Sequence, residues 1–215
     1  MRSKRCEMIL NVVPTRFQKL MNWLMAYRED IRRYVNSETK VSFLRQFLTQ
    51  RGLWALLQYR LASAVYRWEL PAVFKRPLLV MMAAWQKFVE LTTGICLPYT
   101  ATIGPGLYIG HYGHIFLNGN VVLGSNCNLL HGVAIVISGR GDHRGVPVIG
   151  NRVHFGANAT VAGNIRIGDD TTIAANALVI TDVPDGCSVA GIPAEIISRE
   201  YSRYFVKLQP QQSKS

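Results

Sequence analysis

A six-residue spacing in the second half of the chain constrains its fold more than any other feature. Ile149, Phe155, Val161, Ile167, Ile173 and Val179 follow one another at an unbroken interval of six. Four residues after each comes Val153, Ala159, Ile165, Thr171, Ala177 and Val183, small in five of the six cases. An earlier stretch keeps the interval in two phases: Ile103, Ile109 and Ile115, then Leu117, Leu123, Leu129 and Ile135. An antiparallel sandwich would alternate with period two between irregular turns. Period six instead predicts three short strands per coil of about eighteen residues, stacked as a parallel β-helix. Each aliphatic residue then faces inward, and the residue four later sits near a tight corner. Gly104, Gly110, Gly124, Gly150, Gly156 and Gly168 directly follow the aliphatic position, which predicts turn conformations there.

The phase breaks twice. Between Ile109 and Leu117 the register slips by two residues, and the slip contains His111, Tyr112, Gly113 and His114. Between Ile135 and Ile149 the interval is fourteen, two more than two regular steps, so a loop is expected at residues 138–147. Loops that leave a stacked repeat commonly build its binding face.

The first half has a different texture. Only Gly52 of the eighteen glycines precedes Thr93. Phe43, Leu44, Phe47 and Leu48, then Leu53, Leu56, Leu57, Tyr59, Leu61 and Val65, recur at helical spacing, and a further apolar helix is expected from about Leu78 to Leu91. Residues 1–40 predict at most a loosely attached helix. Residues 1–90 carry 16 Lys and Arg against 6 Asp and Glu, while the remainder carries 8 against 7. No nucleic-acid motif accompanies that charge. A basic segment with Trp, Leu and Met suits either a solvated helical face or the surface of an anionic membrane. The longest apolar run, residues 77–85, is too short to span a bilayer, and the N-terminus lacks the apolar core of a cleaved signal peptide. Four scattered cysteines without a CxxC pair predict reduced thiols in a cytoplasmic protein.

The segments ATIGPGLYIGH (101–111), GVPVIGNRVHFGANATVAGNIRIGDD (145–170) and TDVPDGCSVAGIPAEI (181–196) resemble the serine acetyltransferase branch of the hexapeptide-repeat acyltransferases. The resemblance implies an α+β fold, with a helical N-terminal domain (1–93), a left-handed parallel β-helix (94–198) and a polar tail (199–215). It also implies O-acetyl transfer from acetyl-CoA to a hydroxyl in a ternary complex. That chemistry needs a base near neutrality, a role suited to imidazole. His111 matches the family's catalytic histidine, and His143 the second histidine of the extended loop. Asp142 and Arg144 beside it, and His131 within a regular coil, are candidate acceptor-binding residues. Gly156-Ala157 and Ala174-Ala175 lie one coil apart, leave room for a thin pantetheine arm, and match the family's CoA-contacting positions. A backbone amide near Ser138-Gly139 is expected to meet the oxyanion, and Arg144 or Arg166 the CoA phosphates. No metal is expected, since the histidines lack converging ligand spacing. A homotrimer with sites between neighbours follows from the family, with a dimer of trimers left open.

Two departures bear on the acceptor. The serine enzymes carry an aspartate just before the catalytic histidine, where this chain has Gly110, and another about fifteen residues earlier, where it has Cys96. Glu90 or Asp142 could then orient His111. With the charge asymmetry, these departures lead to a saccharide hydroxyl as the expected acceptor, in a surface polysaccharide or its precursor, with the basic half resting on the inner membrane face. Serine O-acetylation in cysteine biosynthesis is the alternative, and a non-catalytic β-helix scaffold the alternative of another class.

Overall fold

In the computed structural model the described residues are 16–35, 47, 49–111, 113–140 and 144–199. Three helices come first: α1 (Arg16–Tyr34), α2 (Arg51–Arg67) and α3 (Ala72–Thr93). The apolar spacing of Leu53, Leu56 and Tyr59 buries one stripe of α2 completely. Gly94 stops α3 in the left-handed conformation, φ 68°, with its N–H donating to Glu90 O at 2.8 Å.

The remaining chain winds into a left-handed β-helix with three flat sides. The first side stacks β1 (Ile95–Cys96), β4 (Ile115–Leu117), β7 (Ala134–Val136), β10 (Thr160–Ala162) and β13 (Leu178–Val179). The second stacks β2 (Thr102–Ile103), β5 (Val122–Leu123), β8 (Val148–Ile149) and β11 (Arg166–Ile167). The third stacks β3 (Tyr108–Ile109), β6 (Asn128–Leu129), β9 (His154–Phe155), β12 (Thr172–Ile173) and β14 (Ser188–Gly191), all parallel. An antiparallel strand, β15 (Ala194–Ser198), folds back on β14 and closes the last coil. The aliphatic residues at period six are all buried, as are the residues four later, from Val153 to Val183. Burying each such side chain stabilises the stack by about 1.5–3 kcal/mol.

Three expectations change. The left-handed turn residues are not the glycines after the aliphatic position but the residues three after it: Asn126, Arg152, Asn158, Asp170 and Asn176, with φ between 55° and 60°. The post-aliphatic glycines answer to coil spacing instead. A Cβ on Gly124 would lie 2.4 Å from Gly150 O, and one on Gly156 2.4 Å from Ala175 N. Secondly, Ile135 pairs with Val161 and Leu123 with Ile149, so one corner, not a whole strand, holds the loop. The fourteen-residue interval is one regular step plus an eight-residue insertion. Thirdly, Val183 is not a corner residue. It bridges Ile167 on the second side, because the last coil is two residues short.

The helices pack over the open first coil and share its core through Tyr27, Ala55, Leu56, Tyr59 and Val89. An uncapped coil would expose unpaired backbone groups. Tyr59 OH donates to Ala101 O at 2.8 Å and accepts the Ile103 N–H at 3.0 Å. Arg60 donates to Ile103 O at 2.7 Å and Gly104 O at 2.6 Å, while Asp30 accepts the Leu107 N–H at 2.9 Å. Asp30 and Arg60 bind each other through two hydrogen bonds, 2.8 and 3.0 Å, so the buried charges compensate. Tyr34 OH accepts the Ile109 N–H at 2.8 Å, and Arg33 reaches Gly106 O, Asn126 O and Asn128 Oδ1. Helix α1 is therefore tied down by its C-terminal half, not loosely attached. Part of the basic charge in the first half is spent on backbone carbonyls.

Candidate functional site

The corner between the third and first sides brings two of the candidate histidines together. Ile109 pairs with Leu129, Leu129 with Phe155, and Phe155 with Ile173. Two residues on, the same register stacks His111, His131, Ala157 and Ala175 in one column. Asn158 N–H donates to His131 O at 2.9 Å and Asn176 N–H to Ala157 O at 2.8 Å, holding successive coils together. The imidazoles of His111 and His131 are both exposed and meet edge to face, with ring centroids 6.0 Å apart and planes at 69°. Below them the column narrows to alanine. An exposed edge thus has two imidazoles at one end and a strip of small residues at the other.

The two-residue slip explains why His111 stands out. The extra residues let the corner bulge, with Gly113 at φ 112° and His114 at φ 54°. A Cβ on Gly94 would approach Gly113 Cα at 3.1 Å and His114 N at 3.0 Å, so the end of α3 abuts this bulge.

The carboxylate at this end of α3 has other partners. Glu90 accepts hydrogen bonds from Gln86 at 2.9 Å and Lys87 at 2.7 Å, and from the Cys96 thiol. Burial works to raise its pKa, but those donors hold it below the ordinary value. Burial, reinforced by Glu90, pushes the Cys96 thiol up to about 12, so Cys96 stays a neutral donor. Glu90 is therefore committed to these three groups among the described residues, not to His111.

The loop leaves from a different corner, between the first and second sides. Its base is a two-bond bridge between Ser138 and Gly145, 3.1 and 3.0 Å, with Gly139 at φ 95°. Strand β7 (Ala134–Val136) runs between His131 and Ser138, which stand at opposite ends of the first side. Ser138, Gly139 and the exposed Arg144 therefore do not join the histidine column within one chain. Arg166, on the outward face of the second side, does not join it either. His143 and Asp142 lie outside the described residues. His154 is half-buried on β9, where burial lowers its pKa.

The placement of His131 beside His111 had a signal in the sequence. The twenty-residue step from Ile109 to Leu129 was the available signal, since it carries His111 onto His131 just as an eighteen-residue step carries Ala157 onto Ala175. Asn158 and Asn176, exposed beside those alanines, escaped notice for the same reason.

Comparisons with known proteins bear on the family and the fold. The family described as bacterial transferase hexapeptide (six repeats) matches residues 147–181. Serine acetyltransferase from Helicobacter pylori (strain J99 / ATCC 700824) is 35% identical over 149 residues, covering 69% of this chain and 82% of the relative. That from Synechococcus elongatus is 32% identical over 156 residues, covering 73% of this chain and 61% of the relative. A crystal structure of Neisseria gonorrhoeae serine acetyltransferase in complex with serine superposes with a TM-score of 0.70 at 28% identity, covering 85% of this chain and 72% of that one. These relatives overturn the expectations of a saccharide acceptor and of an inert scaffold. One physical ground for the saccharide has also weakened, since Arg33 and Arg60 serve the cap. With a relative more than 30% identical over most of its length, the chain belongs to the serine acetyltransferase family of hexapeptide-repeat acyltransferases, enzymes that take acetyl from acetyl-CoA without a metal.

Proposed function

We propose that the protein acetylates the side-chain hydroxyl of serine, with His111 as general base. The observation that carries this reading is the exposed His111–His131 pair at the head of a small-residue edge. Acetyl-CoA would lie along Gly156, Ala157, Ala174 and Ala175, where small side chains leave room for the pantetheine arm beside coils whose backbone groups largely bind one another. His111 takes the hydroxyl proton as the serine oxygen attacks the thioester carbonyl. The tetrahedral intermediate then collapses with loss of the CoA thiolate, which takes the proton back from the imidazolium. The products are O-acetylserine and CoA.

The loop at the other corner supplies the rest in this proposal. When three copies pack side by side, the loop corner of one faces the histidine column of the next, so each site is shared. An amide at Ser138 or Gly139 then stabilises the oxyanion. His143 and Arg144 meet the acceptor, and Asp142 offers the ammonium the counter-charge that Gly110 lacks. Such an enzyme works in the cytoplasm, on the acetyl-CoA and serine there.

The test follows CoA thiol release with L-serine present and absent, for wild type and His111→Ala. Serine-dependent release that falls 10²–10⁴-fold in the variant is the expected result. Release unaffected by serine would overturn the acceptor, and unchanged release in the variant would overturn the base.

A further inference from the structure

The outward face of α3 is apolar along its whole length. Met82, Val89 and Thr93 bury one side of this 22-residue helix. On the opposite side Val73, Phe74, Val80, Met81, Phe88 and Leu91 are exposed, Val73 to 78% and Leu91 to 87%. At 100° per residue they fall within an arc of about 120°, together with Pro77 and Ala84. Exposed Arg76 and Lys87 follow one border of that arc; Lys87 also pairs with Glu90. No helix among the described residues is long and apolar enough to cross a membrane.

We propose that this face of α3 docks onto the surface of an anionic bilayer, with the helix lying in the interfacial plane. The charge around the stripe selects that occupant. It is edged by the exposed cations Arg76 and Lys87, on a half-chain that carries 16 Lys and Arg against 6 Asp and Glu. Arg33 and Arg60 serve the cap, and the cationic surplus that remains is the pattern of an interfacial helix on acidic headgroups. A bilayer needs no shape complementarity and accepts side chains one by one.

The inference does not rest on the acceptor, and its test reads binding, not turnover. The full chain is floated with vesicles of phosphatidylcholine containing phosphatidylglycerol, and with phosphatidylcholine alone. Expected is co-flotation with the anionic vesicles only, weakened by 0.5 M salt, which shortens the Debye length from about 10 Å at 0.1 M to about 4 Å. Val80→Glu/Phe88→Glu, which changes exposed positions away from the histidine column, should lower bound protein at least tenfold while thiol release stays unchanged. Arg76→Glu should lower it by a smaller factor. Absence of wild-type flotation overturns the proposal, and so does binding that persists in the double variant. Light scattering that shows six copies in wild type and three in the double variant, with no vesicle binding, assigns the face to a second trimer and overturns it as well.

Discussion

At the scale of single residues, His111 and His131 share one edge, and the proposed mechanism gives them different roles. On that proposal His111→Ala is expected to remove the base and lower kcat, whereas His131→Ala is expected to leave the base in place and weaken the acceptor's hold, raising KM for serine several-fold with a smaller loss in kcat. Initial-rate kinetics on both variants check that split. Gly156 illustrates a different constraint. Because a Cβ there would press on Ala175 N at 2.4 Å, Gly156→Ala forces two coils apart and costs about 1–3 kcal/mol. For a domain of this size that is a fall in Tm of several degrees, readable by calorimetry. Neither fact is visible from residue identity alone: a glycine after an aliphatic residue looks the same whether a turn or a neighbouring coil demands it.

At the scale of elements, the helices act as the lid of the first coil. Their tyrosines and arginines pair with backbone groups that another coil would otherwise take, and the Asp30–Arg60 pair is the centre of that contact. Arg60→Met leaves the Asp30 carboxylate buried and uncompensated and is expected to cost about 3–5 kcal/mol. Arg60→Met combined with Asp30→Leu is expected to cost less than the single change, since no buried charge remains. Urea denaturation of the two variants decides it. The helices themselves were legible from apolar spacing, and so were the short strands. The lid was not, because Asp30 and Leu107 are 77 residues apart and no local pattern joins them.

At the scale of the whole molecule, the histidine column and the base of the loop sit on different corners of one chain, so the proposed site needs an assembly to reunite them. If each site takes its histidine column from one copy and its loop from the next, then two inactive variants complement each other. Co-expressed His111→Ala and His143→Ala chains, randomly mixed in trimers, should recover roughly a quarter of wild-type activity, because that share of neighbouring pairs joins an intact column to an intact loop. No recovery in mixed trimers, with trimers verified by light scattering, would place both histidines in one chain's site.

By itself the sequence determined the stacked coil, the inward residues and the places where the stack breaks, because each of these depends on neighbours six or fewer residues away. It also marked the small pairs at 156–157 and 174–175, since a constant coil length turns distance along the chain into position on an edge, while His111 stood out by its phase break and by the family resemblance. What only the tertiary structure decided was which corner received which break: the eight-residue insertion shifted the loop away from the histidines instead of beside them. It likewise decided that arginines in the basic half would bind carbonyls of the first coil, and that the apolar face of α3 would be left outward. Those outcomes depend on pairings across tens of residues, where packing and backbone hydrogen bonding, not local periodicity, select the partner.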